Sequence, residues 1–197
     1  MIRKLNSTEL STAAELLARG MLDNPIHIRV FGLDPERRRR ALARFFEPVL
    51  RGLSGRGSIY GLFLDETLVG VYAEVPPGRC KPSLREKLTV LPAVCFGNSF
   101  KTTIRVLQWV GDWSRRDRTE PHWHLGPVAV DTKFQGKGIG GEMLSDFCSR
   151  MDAEKAVAYL ETDKIVNVRF YERFGFNVLA EGKVLGAPNW FMSRRPL

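Results

Sequence analysis

The 197-residue sequence predicts an α/β protein: a mixed, mostly antiparallel sheet of six or seven strands with helices on both faces. Three observations carry that expectation. Two apolar runs, 58–64 and 68–75, flank Asp65-Glu66-Thr67, the pattern of an antiparallel hairpin. A strand, helix and strand then succeed one another over 122–130, 138–151 and 157–160, as a parallel pair with a helical crossover requires. Stretches with helical spacing of apolar residues stand before and between these strands.

Taken in order, residues 2–5 read as a short strand. Asn6 or Ser7 caps a helix carrying Leu10, Ala13, Ala14, Leu16 and Leu17 and closing at Gly20. Asp34-Pro35 is an N-cap followed by proline at the first helical position, and Leu42, Phe45, Phe46 and Val49 form that helix's buried stripe. Arg37 to Arg40 wrap around the same helix and are expected to be mostly solvated. The stretch from Cys80 to Asn98 is ambiguous, with Pro82 and Pro92 as breakers. Phe100, Ile104, Leu107 and Gly111 mark one face of a helix running towards Arg115. A short helix over 165–174 and strands near 176–185 and 190–193 complete the chain.

Composition excludes several classes. Lys plus Arg number 30 against 22 for Asp plus Glu, a net +8, so an anionic partner is favoured. Cys80, Cys95 and Cys148 are scattered and lack C-x-x-C spacing, which argues for a reducing compartment. No apolar leader follows Met1 and no long apolar run occurs, so a cytoplasmic protein with no membrane partner is expected. No helix-turn-helix or aromatic-interleaved basic pattern accompanies the charge, and a nucleic-acid partner is not expected.

The strongest chemical pattern runs from Val128 through Asp131, Gln135, Gly136, Lys137, Gly138, Ile139, Gly140 and Gly141 into an amphipathic helix. Glycines opening a helix let backbone N–H groups approach an anion, and the helix dipole adds about half a positive charge there. Phosphate or pyrophosphate is the natural guest. Gly136, Gly138 and Gly141, with Glu161 further on, imitate a dinucleotide fingerprint. Asp131 to Gln135, however, intervene between strand and glycines, and too little chain remains for such a sheet. A P-loop fails because Glu142-Met143 follows Gly141 where Lys-Ser/Thr is required.

Gln135-x-x-Gly138-x-Gly140 closely resembles the acetyl-CoA signature of the GCN5-related N-acetyltransferase (GNAT) superfamily. A second segment, Asn167-Val168-Arg169-Phe170-Tyr171-Glu172-Arg173-Phe174-Gly175-Phe176, is similar to that family's N-x-x-F-Y-E-R-x-G-F run. Glu120-Pro121, Leu160-Glu161-Thr162 and Trp190-x-Met192 extend the likeness towards the puromycin N-acetyltransferase branch. The resemblance implies a single N-acetyltransferase domain over 1–197, with an acceptor-side half of about 1–119 and an acetyl-CoA half of about 120–197. It implies acetyl transfer from acetyl-CoA, a co-substrate, to a primary amine of a small molecule or peptide.

Acetyl transfer to an amine needs a neutral nucleophile, a donor for the carbonyl oxygen and a proton for the leaving thiolate. Gly126-Pro127 interrupts its strand, marking a bulge or splayed edge to which an extended arm could add. The resemblance implies oxyanion donors among Val128, Ala129 and Val130. The cofactor would rest on Gln135, Gly136, Lys137, Gly138, Ile139 and Gly140, with Asn167, Phe170 and Arg173 as further contacts. Tyr171 stands where the family keeps its general acid. Asn167 has capping of the short helix as its other reading. His124, sharing a strand face with His122, and Glu161 compete as general base. A zinc site on the two histidines is not expected, with no cysteine or third histidine near, and no metal cofactor is expected. Trp109, Trp113, Trp123 and Trp190 read either as an aromatic acceptor wall or as core. The competing function is a non-catalytic acyl-CoA-binding regulatory module on the same fold. Self-association, if it occurs, is expected to give a homodimer, the commonest homo-oligomer.

Overall fold

The computed structural model describes residues 1–81 and 100–197. Pro82, Pro92, Cys95 and Asn98 of the ambiguous stretch lie outside the described residues. The first half contains β1 (Ile2–Lys4), α1 (Leu10–Gly20), α2 (Pro25–Phe31), α3 (Pro35–Arg56), β2 (Ser58–Leu64) and β3 (Thr67–Val75). There follow α4 (Phe100–Arg116), β4 (Trp123–Val130), a 3-10 turn (Thr132–Phe134), α5 (Ile139–Ala153), β5 (Ala158–Thr162), α6 (Ile165–Glu172), β6 (Asn177–Val184) and β7 (Ala187–Arg194). The strands form one seven-stranded sheet in the order β1-β2-β3-β4-β5-β7-β6. Among the described strands, only β4 and β5 are parallel neighbours.

Local chemistry accounts for most of the elements. Asp65 and Glu66 take left-handed backbone (φ 43° and 66°), the geometry of a tight hairpin turn, and close β2 onto β3. Asn6 holds the turn before α1: its Oδ1 accepts from the Thr8 N–H, while the Asn6 N–H donates to Glu9 (both 2.9 Å). Asp34 accepts from the Arg37 N–H at 2.8 Å and caps α3. Leu42, Phe45, Phe46 and Leu50 are its buried stripe, with Val49 half-buried.

One expectation is qualified here and another corrected. The arginine run, expected to be mostly solvated, has one member that is not: Arg38 is buried and donates to the carbonyls of Leu22, Gly32 and Leu33 (2.7, 2.6 and 2.9 Å). It thereby ties α3 to the loop carbonyls on either side of α2. The face of α4 is also different. Phe100, Ile104 and Leu107 are exposed (82%, 39% and 52%), while Thr103, Val106 and Trp109 are buried. Both stripes have helical spacing, and contact with Phe45 and His27 selects the one carrying Trp109.

The sheet separates two cores. One gathers α1, α2, α3 and α4 against Ile59, Val71, Ala73 and Val75. The other sets α5 and α6 against Leu62, Val69, Tyr72 and Leu125. The β2–β3 register passes from Leu62↔Gly70 to Phe63↔Leu68, skipping Val69. That bulge puts Val69 on the same side as Tyr72, an odd three residues away.

Candidate functional site

β4 pairs with β3 along most of its length but with β5 only at Trp123↔Ala158 and His124↔Tyr159. Beyond His124 the two parallel strands part, at the Gly126-Pro127 interruption the sequence points to. The Asp131 N–H donates to the Val69 carbonyl at 2.8 Å, on the β3 side. By the two-residue alternation of a strand, the N–H groups of Val128 and Val130 face the opposite, open edge. That of Ala129 turns towards β3, so Ala129 is corrected as a donor into the gap.

A cradle closes the open end. Asp131 accepts from the Lys133 N–H at 3.1 Å and from both Nε and an Nη of Arg19 (3.0 and 2.7 Å). This fastens the loop to α1, and these donors hold the Asp131 carboxyl below its ordinary range despite burial. Gln135 donates its side-chain amide to the Val130 carbonyl at 3.0 Å. Gly136 and Gly138 have φ of 76° and 84°, and nothing lies within 4 Å of where a Cβ would stand on either. Gly138 is the N-cap of α5 and brings no side chain to the first N–H groups of that 15-residue helix, including those of Ile139 and Gly140. No side-chain cap therefore occupies those donors. Phe170 packs against the start of the helix, within 3.3 Å of a Cβ at Gly140. Lys137 lies over the Phe134 ring (5.1 Å) and Arg173 over that of Phe170 (5.2 Å), two cations beside the cradle.

Tyr171 sits on α6, 8% exposed, between the rings of Phe170 and Phe176 at 5.4 and 5.9 Å. Burial, and then the charge of Asp163, push its pKa up, so the phenol holds its proton. Asn167 does not cap α6, whose N-cap is Lys164. Its amide donates instead to Thr162 Oγ1 at 3.2 Å, bracing the end of β5.

The two rival bases are one pair. His124 Nε2 lies 2.9 Å from Glu161 Oε2, because β5 sets Tyr159 beside His124 and Glu161 follows on the same face. The Glu161 side chain is 3% exposed and that of His124 24%. Burial opposes a charge on His124, but Glu161 and then Cys80 overcome it and raise its pKa. Cys80 is the residue that sequence reasoning missed. Its Sγ lies 3.7 Å from His122 Nε2, which corrects the premise that no cysteine is near the histidines. Burial would raise the thiol, but the two imidazoles bring it down to about 7. No local pattern announced the meeting, because Cys80 stands 42 residues before His122, in the segment that follows β3.

The tryptophans do not make one acceptor wall. Trp109 and Trp113 pack with the first core and Trp123 and Trp190 with the second. Among the described residues, no helix is long and apolar enough to cross a membrane.

The sequence model of the acetyltransferase (GNAT) family matches residues 53–176. A fission-yeast (Schizosaccharomyces pombe) protein named uncharacterized N-acetyltransferase C550.08 is 34% identical over 61 residues. That stretch spans 31% of this chain and only 25% of the yeast protein. Among solved structures, histone acetyltransferase HPA2 and related acetyltransferase from Corynebacterium glutamicum is similar with a TM-score of 0.72 and 20% identity. The match covers 100% of this chain and 96% of that one. The paia N-acetyltransferase from Thermoplasma acidophilum, in complex with coenzyme A, is similar with a TM-score of 0.60 and 16% identity, covering 99% and 98%.

Proposed function

This chain belongs to the acetyltransferase (GNAT) family, and from that premise we propose that it transfers an acetyl group from acetyl-CoA to a primary amine by direct attack, with Tyr171 as general acid. The observation that carries the reading is the parting of β4 from β5, with Val128 and Val130 N–H groups on the open edge and the glycine cradle at its end.

These residues fit acetyl-CoA. Gly136 and Gly138 hold left-handed backbone beside open space, which lets the loop and the helix start turn their N–H groups towards a pyrophosphate. Bound there, the cofactor supplies an acetyl group already activated as a thioester. Ile139 and Gly140 N–H groups meet the pyrophosphate, with Lys137 and Arg173 adding charge. Val128 and Val130 N–H groups pair with the extended arm, and one of them donates to the carbonyl oxygen as it gains charge. Glu161 strengthens His124 as a proton acceptor. Once the resting proton has left through the exposed edge of His124, the pair draws the proton from the attacking amine. Tyr171 keeps its proton until the sulfur departs and then gives it up. Asn167 braces the β5 end and Phe170 the helix start, while Gln135 holds the loop. The acceptor is a small-molecule or peptide amine entering beside His124.

A screen of amines, antibiotics, polyamines and peptide N-termini with acetyl-CoA, followed by thiol release, tests the reading. Acceptor-dependent release and acetylated product are expected. Tight CoA binding with no release for any acceptor would replace it with the non-catalytic acyl-CoA-binding module.

A further inference from the structure

We propose that Cys80, His122 and His124 form a binding site for one borderline-soft divalent metal ion of the zinc class, with Asp117 or water as the fourth ligand. The three side chains come from the segment after β3, the residue before β4 and β4 itself. They offer ligand atoms that all lie within 4.8 Å of one another. The Cys80 Sγ to His122 Nε2 separation of 3.7 Å is close to the edge of a zinc tetrahedron, about 3.5 Å for Zn–S of about 2.3 Å and Zn–N of about 2.0 Å.

The second observation is how the ring nitrogens are committed. His122 Nδ1 donates to the Glu120 carbonyl at 2.8 Å, which leaves Nε2 to present its lone pair towards Cys80. His124 gives Nε2 to Glu161 at 2.9 Å, which leaves Nδ1 for Cys80. A histidine that ligates a metal nearly always donates its other nitrogen to a carbonyl or carboxylate, and here both do. The third observation is Asp117. Its Oδ1 is buried, has no hydrogen-bond donor among the described residues, and lies 3.1 Å from His122 Nε2. A buried carboxylate oxygen at that distance from an imidazole nitrogen favours positive charge between them, which a proton on Nε2 or a metal ion supplies. Sulfur and nitrogen ligands select zinc, cobalt or nickel over magnesium and calcium, which take oxygen. If His124 is the base of the proposed function, a bound metal removes the proton acceptor and halts transfer. That consequence rests on the proposed function, whereas binding itself does not.

The test is titration of chelator-treated protein with cobalt(II) chloride and then zinc chloride. One equivalent of cobalt is expected to raise a thiolate-to-metal charge-transfer band that zinc abolishes. Cys80→Ser removes the band, and His122→Gln weakens zinc binding by more than about tenfold. Cys148→Ser changes neither, and thermal melts verify that each variant is folded. No band in the wild-type protein, or equal zinc affinity in folded Cys80→Ser and His122→Gln, overturns the site. Zinc that binds through Cys80 and stops thiol release until a chelator is added supports both readings. Zinc that binds through Cys80 and leaves turnover unchanged supports the site and overturns His124 as the base.

Discussion

Replacing Gly138 separates backbone strain from anion repulsion at the cradle. Gly138 stands at φ 84°, with nothing within 4 Å of a would-be Cβ, so a side chain meets no steric obstacle. For alanine the cost is the left-handed backbone, about 1–2 kcal/mol of stability. Aspartate tolerates that conformation better and is a favourable N-cap, so Gly138→Asp costs no more stability than Gly138→Ala. Its effect is on the ligand. A carboxylate about 5 Å from one pyrophosphate charge is repelled by about 1–3 kcal/mol at an effective dielectric between that of water and 20. CoA affinity in Gly138→Asp therefore falls roughly 5- to 200-fold, while Gly138→Ala binds within a few-fold of wild type. Calorimetry at two ionic strengths reads both, and salt should narrow the gap between the variants. Equal losses in both variants would reduce the cradle to a shape effect, and an unchanged affinity in Gly138→Asp would refute an anion there.

Three further outcomes are expected. Tyr171→Phe keeps the ring between Phe170 and Phe176, so CoA affinity and melting temperature hold while kcat falls on the order of 10–10³-fold; lost stability with full turnover would make Tyr171 a core residue. Arg19→Ala strips two charge-assisted hydrogen bonds from the nearly buried Asp131 and is expected to cost about 1.5–3 kcal/mol. CoA binding should weaken with it as the loop loosens, and calorimetry beside a urea melt reads the two effects. His27 is 1% exposed, and burial lowers its pKa to about 4. Because the unfolded chain takes the proton near pH 6.5 and the folded one near 4, its contribution is full above pH 6.5 and is lost as pH falls towards 4. Over that window about 3 kcal/mol disappears. Urea melts of wild type and His27→Asn should converge across it, and parallel curves would deny the burial effect.

What the sequence made legible was local. The Asp65–Glu66 turn, the Asp34 cap and the glycine cradle each depend on residues a few positions apart, so their physics is written in short strings. α2 is the contrary case. Its first turn is satisfied by Asp163, which accepts from the Ile26 N–H at 2.7 Å across 137 residues, and no local pattern announces that partner. The face of α4 fails for a related reason: two apolar stripes have equal periodicity, and only the placement of Phe45 and His27 decides between them.

The candidate site divides along the same line. The part proposed to bind an anion is a motif, because a phosphate needs consecutive backbone N–H groups and these come from one segment. The site's proton and thiol chemistry is assembled by sheet register. The parallel pairing of His124 with Tyr159 turns two rival bases, His124 and Glu161, into a single ion pair. The pairing of Val75 with His124 likewise brings the chain leaving β3 back beside β4, which is how Cys80 reaches His122. A one-residue slip of β4 against either neighbour would turn His124 to the other face of the sheet, away from both Glu161 and Cys80. The Gly126-Pro127 interruption frees β4 from β5 only after His124. The same strand can therefore hold the His124–Glu161 pair in register at one end and part from its neighbour at the other, where the proposed function places an extended arm.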